Sequence, residues 1–85
     1  MTNPEFYDEP ITATGTIDSQ GQLSVQSFTW QGEQYPVVSM GRQWVDEAGR
    51  HLLVEAAGGA RFELLLRRRD LLWSVQRVWR SQMAA

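Results

Sequence analysis

The sequence contains no cysteine. That excludes a disulfide framework, a thiolate metal site and a cysteine nucleophile, and it is compatible with a cytoplasmic protein. Lysine is also absent, so all eight cationic side chains are arginine. Apolar runs such as Leu64-Leu65-Leu66 are far too short to cross a bilayer. The stretch from Met1 to Pro10 is acidic, holds two of the three prolines and has no apolar centre. It reads as neither a signal peptide nor a membrane span, and no membrane partner is expected.

What remains is short and aromatic. With 85 residues, one domain is the only reasonable count. A core this small must be dense in large side chains. Trp30, Trp44, Trp73 and Trp79, with Phe6, Phe28 and Phe62, supply that bulk, each removing roughly 150–250 Å² from water when buried. The net charge of -2 hides an asymmetry. Residues 1–60 set two arginines against eight carboxylates, a net of -6; residues 61–85 set six arginines against Glu63 and Asp70, a net of +4. The all-arginine usage reads either as codon bias or as a planar fork kept for phosphate and carboxylate contacts.

The strongest structural signal runs from Phe28 to Met40. Phe28 and Trp30 alternate, Tyr35 and Val37 alternate, and Gly32 lies in the polar joint between them. That pattern predicts a β-hairpin. Before it, Ile11 to Ile17 reads as a strand, with Gly15 marking a bulge or a close backbone approach. Asp18 to Gln22 reads as a turn and Leu23 to Trp30 as a second strand. Leu23 and Val25 fall on one parity and Phe28 and Trp30 on the other, which a bulge near Gln26-Ser27, or a short break there, would reconcile. A third strand covers Gln34 to Met40, with a continuation toward Val45. Pro36 within it points to an edge or a strand entry, because proline cannot donate to a ladder. His51 to Ala56 and Arg61 to Arg67 follow as strands around a Gly58-Gly59 turn. From Asp70 onward the pattern fits a helix and a strand alike. Leu71, Leu72, Val75, Val78 and Trp79 have helical spacing, while barrel closure wants a last strand.

The expected fold is all-β: a small single-domain antiparallel barrel, SH3-like and partly open, of five or six strands, with the C-terminal segment left between helix and strand. Residues 1–10 are expected as a flexible arm, 11–80 as the barrel and 81–85 as a tail. The expected core is Val25, Phe28, Trp30, Tyr35, Val37, Trp44, Leu53, Phe62, Leu64, Trp73 and Val75.

The spacing Phe28-x-Trp30-x-Gly32-x-x-Tyr35-x-Val37, then Trp44, Phe62-Glu63-Leu64 and Trp73-x-Val75-x-Arg77-Val78-Trp79 resembles a small bacterial family known as a domain of unknown function. Its members occur alone and as C-terminal appendages of Y-family DNA-polymerase-like proteins in bacterial mutagenesis cassettes. The resemblance spans roughly Ile11 to Arg80. It implies that Trp73 to Arg80 is a strand, and it associates the chain with DNA repair or translesion synthesis. It brings no catalytic residue. The family pattern often has tyrosine where Trp79 stands and an acid where Arg80 stands, and Arg67 to Leu72 departs from its usual short turn.

Catalysis is not expected, and no cofactor or metal is implied. His51 is the only histidine; ligands would have to come from Asp46, Glu47 and Glu55, and the ring is expected at a strand start facing solvent. No nucleophile elbow accompanies the serines. Gly58-Gly59 lacks the pattern of a phosphate loop. Two binding readings remain. The first is a protein-interaction module, with Tyr35, Pro36 and Trp44 lining a groove. The alternative is a nucleic-acid-binding barrel, with Arg67, Arg68, Arg69, Arg77 and Arg80 contacting phosphates and Trp73 or Trp79 stacking on bases.

Overall fold

The computed structural model describes residues 3–80, so the expected 81–85 tail lies outside the described residues. Seven strands appear in order: β1 (Glu5–Pro10), β2 (Thr12–Ile17), β3 (Leu23–Trp30), β4 (Glu33–Val45), β5 (Gly49–Ala56), β6 (Arg61–Arg67) and β7 (Trp73–Trp79). All pairings are antiparallel, in the spatial order β1-β7-β6-β5-β4-β3-β2. Only Ile11 separates β1 from β2, yet these strands sit at opposite ends of the sheet. The sheet therefore curls into a half-barrel, and Ile11 bridges its ends by donating its N–H to the Trp73 carbonyl at 3.1 Å.

The strand count exceeds the expected five or six because residues 5–10 are a strand, not a flexible arm. Tyr7 packs edge-on against Trp30, with centroids 4.9 Å apart. The indole N–H of Trp30 donates to Glu9 Oε1 at 2.8 Å. Aromatic packing and a satisfied indole supply what this acidic, proline-bearing stretch lacks by pattern alone.

The β3–β4 hairpin has a two-residue loop, Gln31-Gly32, with φ of 52° and 79°. Two successive positive φ values match the right-handed twist of the flanking strands. Of a bulge and a break, the chain takes the bulge: Thr14 opposes Ser27 and Gly15 opposes Val25, so Gln26 is the extra residue. This shift brings Leu23, Val25, Phe28 and Trp30 to the same buried side. Gly15 lies so close to β3 that a Cβ would stand 2.6 Å from the Ser24 carbonyl oxygen.

The 13-residue strand β4 serves two neighbours in turn. Glu33–Pro36 pairs with β3, and Val37–Val45 pairs with β5. Pro36 falls at this changeover, where a missing N–H costs least. Beyond Pro36, β3 and β4 separate. Side chains fill the gap: Gln43 Nε2 donates to the Leu23 carbonyl at 2.8 Å, and the Val25 N–H reaches Met40 Sδ at 3.4 Å.

The core holds Leu23, Val25, Phe28, Trp30, Leu52, Val54, Ala56, Phe62, Leu64, Val75 and Val78, with Tyr35, Val37 and Trp73 packed at its margin. Phe28, Tyr35, Trp30 and Phe62 form one aromatic cluster. Two expected core residues lie elsewhere. In β5 the inward parity is Leu52, Val54 and Ala56, which leaves Leu53 half-buried on the outer face. Trp44 is directly opposite His51, on that same outer face.

Candidate functional site

The outer face of β4–β7 carries a polar and aromatic ladder. Its residues are direct or diagonal neighbours across strands, so the sheet register brings them together. Trp44 on β4 stacks flat on His51 of β5, with centroids 4.9 Å apart and planes 2° apart. His51 Nδ1 lies 2.7 Å from Glu63 Oε2 on β6. Glu63 also accepts a hydrogen bond from Arg77 Nε on β7, its direct cross-strand partner. The Arg77 guanidinium lies 5.0 Å over the Trp79 ring, and that of Arg42 lies 5.2 Å over Trp44. Cation–π contacts thus close both ends of the ladder.

His51 and Glu63 are 8% and 4% exposed, which corrects the expectation of a solvent-facing histidine. A buried carboxylate is costly unless paired and hydrogen-bonded, and Glu63 has both a guanidinium and an imidazole. On its other side, His51 Nε2 is 2.8 Å from Asp46 Oδ2, off the line of a directed hydrogen bond. The His51 ring holds the Asp46 carboxyl below its usual value, assisted by the N–H groups of Ala48 and Gly49. With its face under Trp44 and both nitrogens beside carboxylates, the ring is held rather than offered to a solute. Among the described residues no group of histidine and carboxylate side chains is placed to hold a metal ion.

The neighbouring turns meet beside this ladder. Arg68 donates its N–H to the Ala48 carbonyl, and a Cβ on Gly49 would stand 2.2 Å from the Leu66 carbonyl oxygen. A shallow groove of about 420 Å³ opens there, lined by Asp8, Glu47, Leu65, Arg67, Arg68 and Arg69 among others. Its charges are mixed.

Of the five expected nucleic-acid arginines, Arg67, Arg68 and Arg69 line this groove, and Arg77 and Arg80 lie apart from them on carboxylates. Arg67 pairs with Asp70 at 2.9 Å, Arg77 with Glu63, and Arg80 with Glu5 at 3.2 Å. The Arg80 guanidinium and the Tyr7 hydroxyl hold the exposed Glu5 carboxyl below its usual value. Arg68 and Arg69 are exposed at the β6–β7 turn. Trp73 packs against the core, and Trp79 is half-buried beside Arg77. Of the expected protein-binding residues, Tyr35 belongs to the core aromatic cluster, Pro36 is exposed at the β4 changeover, and Trp44 lies on the outer face. Tyr35 and Trp44 therefore do not line one groove.

Sequence reasoning missed Glu63 and underrated His51. A usable signal existed. In a hairpin centred on the Gly58-Gly59 turn, residues 51 and 63 are diagonal neighbours on one face. A glutamate between Phe62 and Leu64 then has a histidine within reach. The chain matches no family model, no curated protein and no solved structure in the comparisons made.

Proposed function

We propose that this chain is a non-catalytic accessory interaction module that docks a protein partner by strand addition. The observation that carries this reading is the second half of β4. Val38–Val45 pairs with β5 on one side; on the other it makes no ladder, and only the side chains of Met40 and Gln43 bridge to Val25 and Leu23 of β3. Val38, Met40 and Val45 along it are 61%, 40% and 59% exposed. A long, exposed, apolar sheet edge is a template for an added strand, and natural proteins usually blunt such edges. Pro36 lies outside this stretch, whose blunting is limited to Arg42 and to two irregularities in its register with β5, between Val37 and Ser39 and between Met40 and Gln43. The long strand β4, which passes from β3 to β5 along its length, also supports the SH3-like reading of the half-barrel. A role in DNA repair or translesion synthesis draws its support from the family resemblance described above.

The competing reading is nucleic-acid binding through Arg68 and Arg69, the two arginines of the β6–β7 turn with the least engaged side chains. One experiment separates the two. Random-peptide display on the intact protein should select extended, alternating sequences. Their binding should be lost in a Val38→Lys/Met40→Lys variant and kept in an Arg68→Glu/Arg69→Glu variant. Selected peptides indifferent to the lysines would refute strand addition on β4. Duplex or single-stranded DNA binding that falls steeply with salt, and fails in the Arg68/Arg69 variant, would favour the alternative.

A further inference from the structure

The turn from β6 to β7 sets two exposed leucines beside two exposed arginines, and we infer that it is a wedge for the surface of an anionic lipid bilayer. Leu71 and Leu72 enter the leaflet, and Arg68 and Arg69 lie among the headgroups. Such a surface contact needs neither a spanning segment nor an added strand on β4. Three observations carry it. First, the tip of the turn is apolar and uncovered. Leu71 and Leu72 are 71% and 55% exposed. The β2–β3, β4–β5 and β6–β7 turns all lie at one end of the sheet, where Ile17 and Val45 are exposed as well. Exposed apolar patches with polar surroundings mark docking surfaces for proteins or membranes.

Second, the turn holds Leu71 in a costly conformation. Its φ is 60°, in the left-handed region where a bulky side chain is uncommon. The turn is fixed from within: the Arg67 N–H donates to the Leu72 carbonyl at 2.9 Å, and the Leu71 N–H to the Arg67 carbonyl at 2.8 Å. A leucine where glycine would be relaxed points to a use for its side chain.

Third, the charge beside the leucines has the sign an anionic leaflet attracts. Residues 67–72 set three arginines against Asp70, a net of +2. Asp70 is engaged by Arg67 at 2.9 Å and by the Leu72 N–H at 3.0 Å. Arg68 and Arg69 stay exposed, with Arg69 Nε 3.8 Å from Asp70. Asp8 and Glu47 line the adjoining groove. Arginine keeps its head at the headgroups while its stem lies along apolar surface. A phosphate backbone takes the arginines alone, whereas a bilayer surface takes both kinds of side chain at once.

The test is co-sedimentation of the full chain with vesicles of phosphatidylcholine containing about one-third phosphatidylserine, against phosphatidylcholine alone, over a salt series. Binding to the anionic vesicles is expected, falling with salt and roughly tenfold weaker on the neutral ones. Arg68→Glu/Arg69→Glu should weaken it by at least about tenfold. Leu71→Gly removes the apolar tip and suits the positive φ, so it should keep the parent's melting temperature and bind roughly tenfold more weakly. Val38→Ser/Met40→Ser should bind vesicles as the parent does, whatever its effect on peptides. No binding at low salt, or binding untouched by Leu71→Gly, overturns the inference. So does loss of vesicle binding in the Val38/Met40 variant, which would place the contact on β4. Binding to duplex DNA but not to vesicles, lost in the Arg68/Arg69 variant, overturns it too and assigns the turn to nucleic acid.

Discussion

Replacing Glu63 with glutamine keeps the side-chain shape and removes the charge from the centre of the outer-face ladder. Two charge-assisted hydrogen bonds converge on this carboxylate, from Arg77 Nε and from His51 Nδ1. Such bonds contribute about 1.5–3 kcal/mol each, against about 0.5–1.5 for neutral ones. The difference is roughly 1–1.5 kcal/mol per bond by the same scale. The Arg77 side chain is about a third exposed, so water screens its share. The expected loss is about 2 kcal/mol. A domain of this length is stabilised by about 4–13 kcal/mol, so the loss is a large fraction. At about 4–8 °C per kcal/mol, the melting temperature should fall by roughly 10 °C. Urea denaturation followed by tryptophan fluorescence should show a lower midpoint with an unchanged slope. A Glu63→Gln/His51→Leu double variant should lose less than the sum of the single losses, because both belong to one network. A single variant within about 0.5 kcal/mol of the parent, or strict additivity, would refute the argument that this ladder is a coupled stabilising unit.

Acid should weaken the fold partly through Asp46. Its folded-state carboxyl titrates below the usual value, so its contribution is complete above about pH 4 and is lost as pH falls further. Asp46→Asn should flatten the stability profile below about pH 4, read by circular dichroism. At Gly49, φ of 146° and the nearby Leu66 carbonyl make alanine both strained and overpacked, with an expected cost of about 3 kcal/mol or more. Gly21, with φ of 80° and open space around it, should tolerate alanine at about 1 kcal/mol in the same denaturation assay. Leu52→Ala should cost about 2–5 kcal/mol as a core truncation, and Leu53→Ala clearly less, since only Leu52 points inward.

Much of the fold was legible because local rules and register agree. The Phe28–Met40 hairpin, its Gly32 turn and the Gln26 bulge all follow from side-chain parity and from one glycine that takes positive φ. Strand β7 was legible only through closure and family resemblance, since Leu71, Leu72, Val75 and Val78 also satisfy a helical period. Strand β1 was not legible. Its partner lies some seventy residues away, and its anchoring depends on Tyr7 and Glu9 meeting Trp30. In β5 the run His51-Leu52-Leu53-Val54 has apolar residues on both parities, so the inward face could not be chosen from pattern. That ambiguity also concealed the ladder. Once Leu52 is known to face inward, His51 must face outward toward Trp44 and Glu63.

The pairing of the first strand with the last sets a clock on folding in the cell. Strands β2 to β7 pair in sequence order, so the meander assembles as it is made. Strand β1 has no seat until β7 has been synthesised, about seventy residues after Pro10. At about 5–20 residues per second, its apolar and acidic side chains wait roughly 3–14 s during synthesis. From its own synthesis until β1 docks, Trp30 lacks both its Tyr7 neighbour and its Glu9 acceptor.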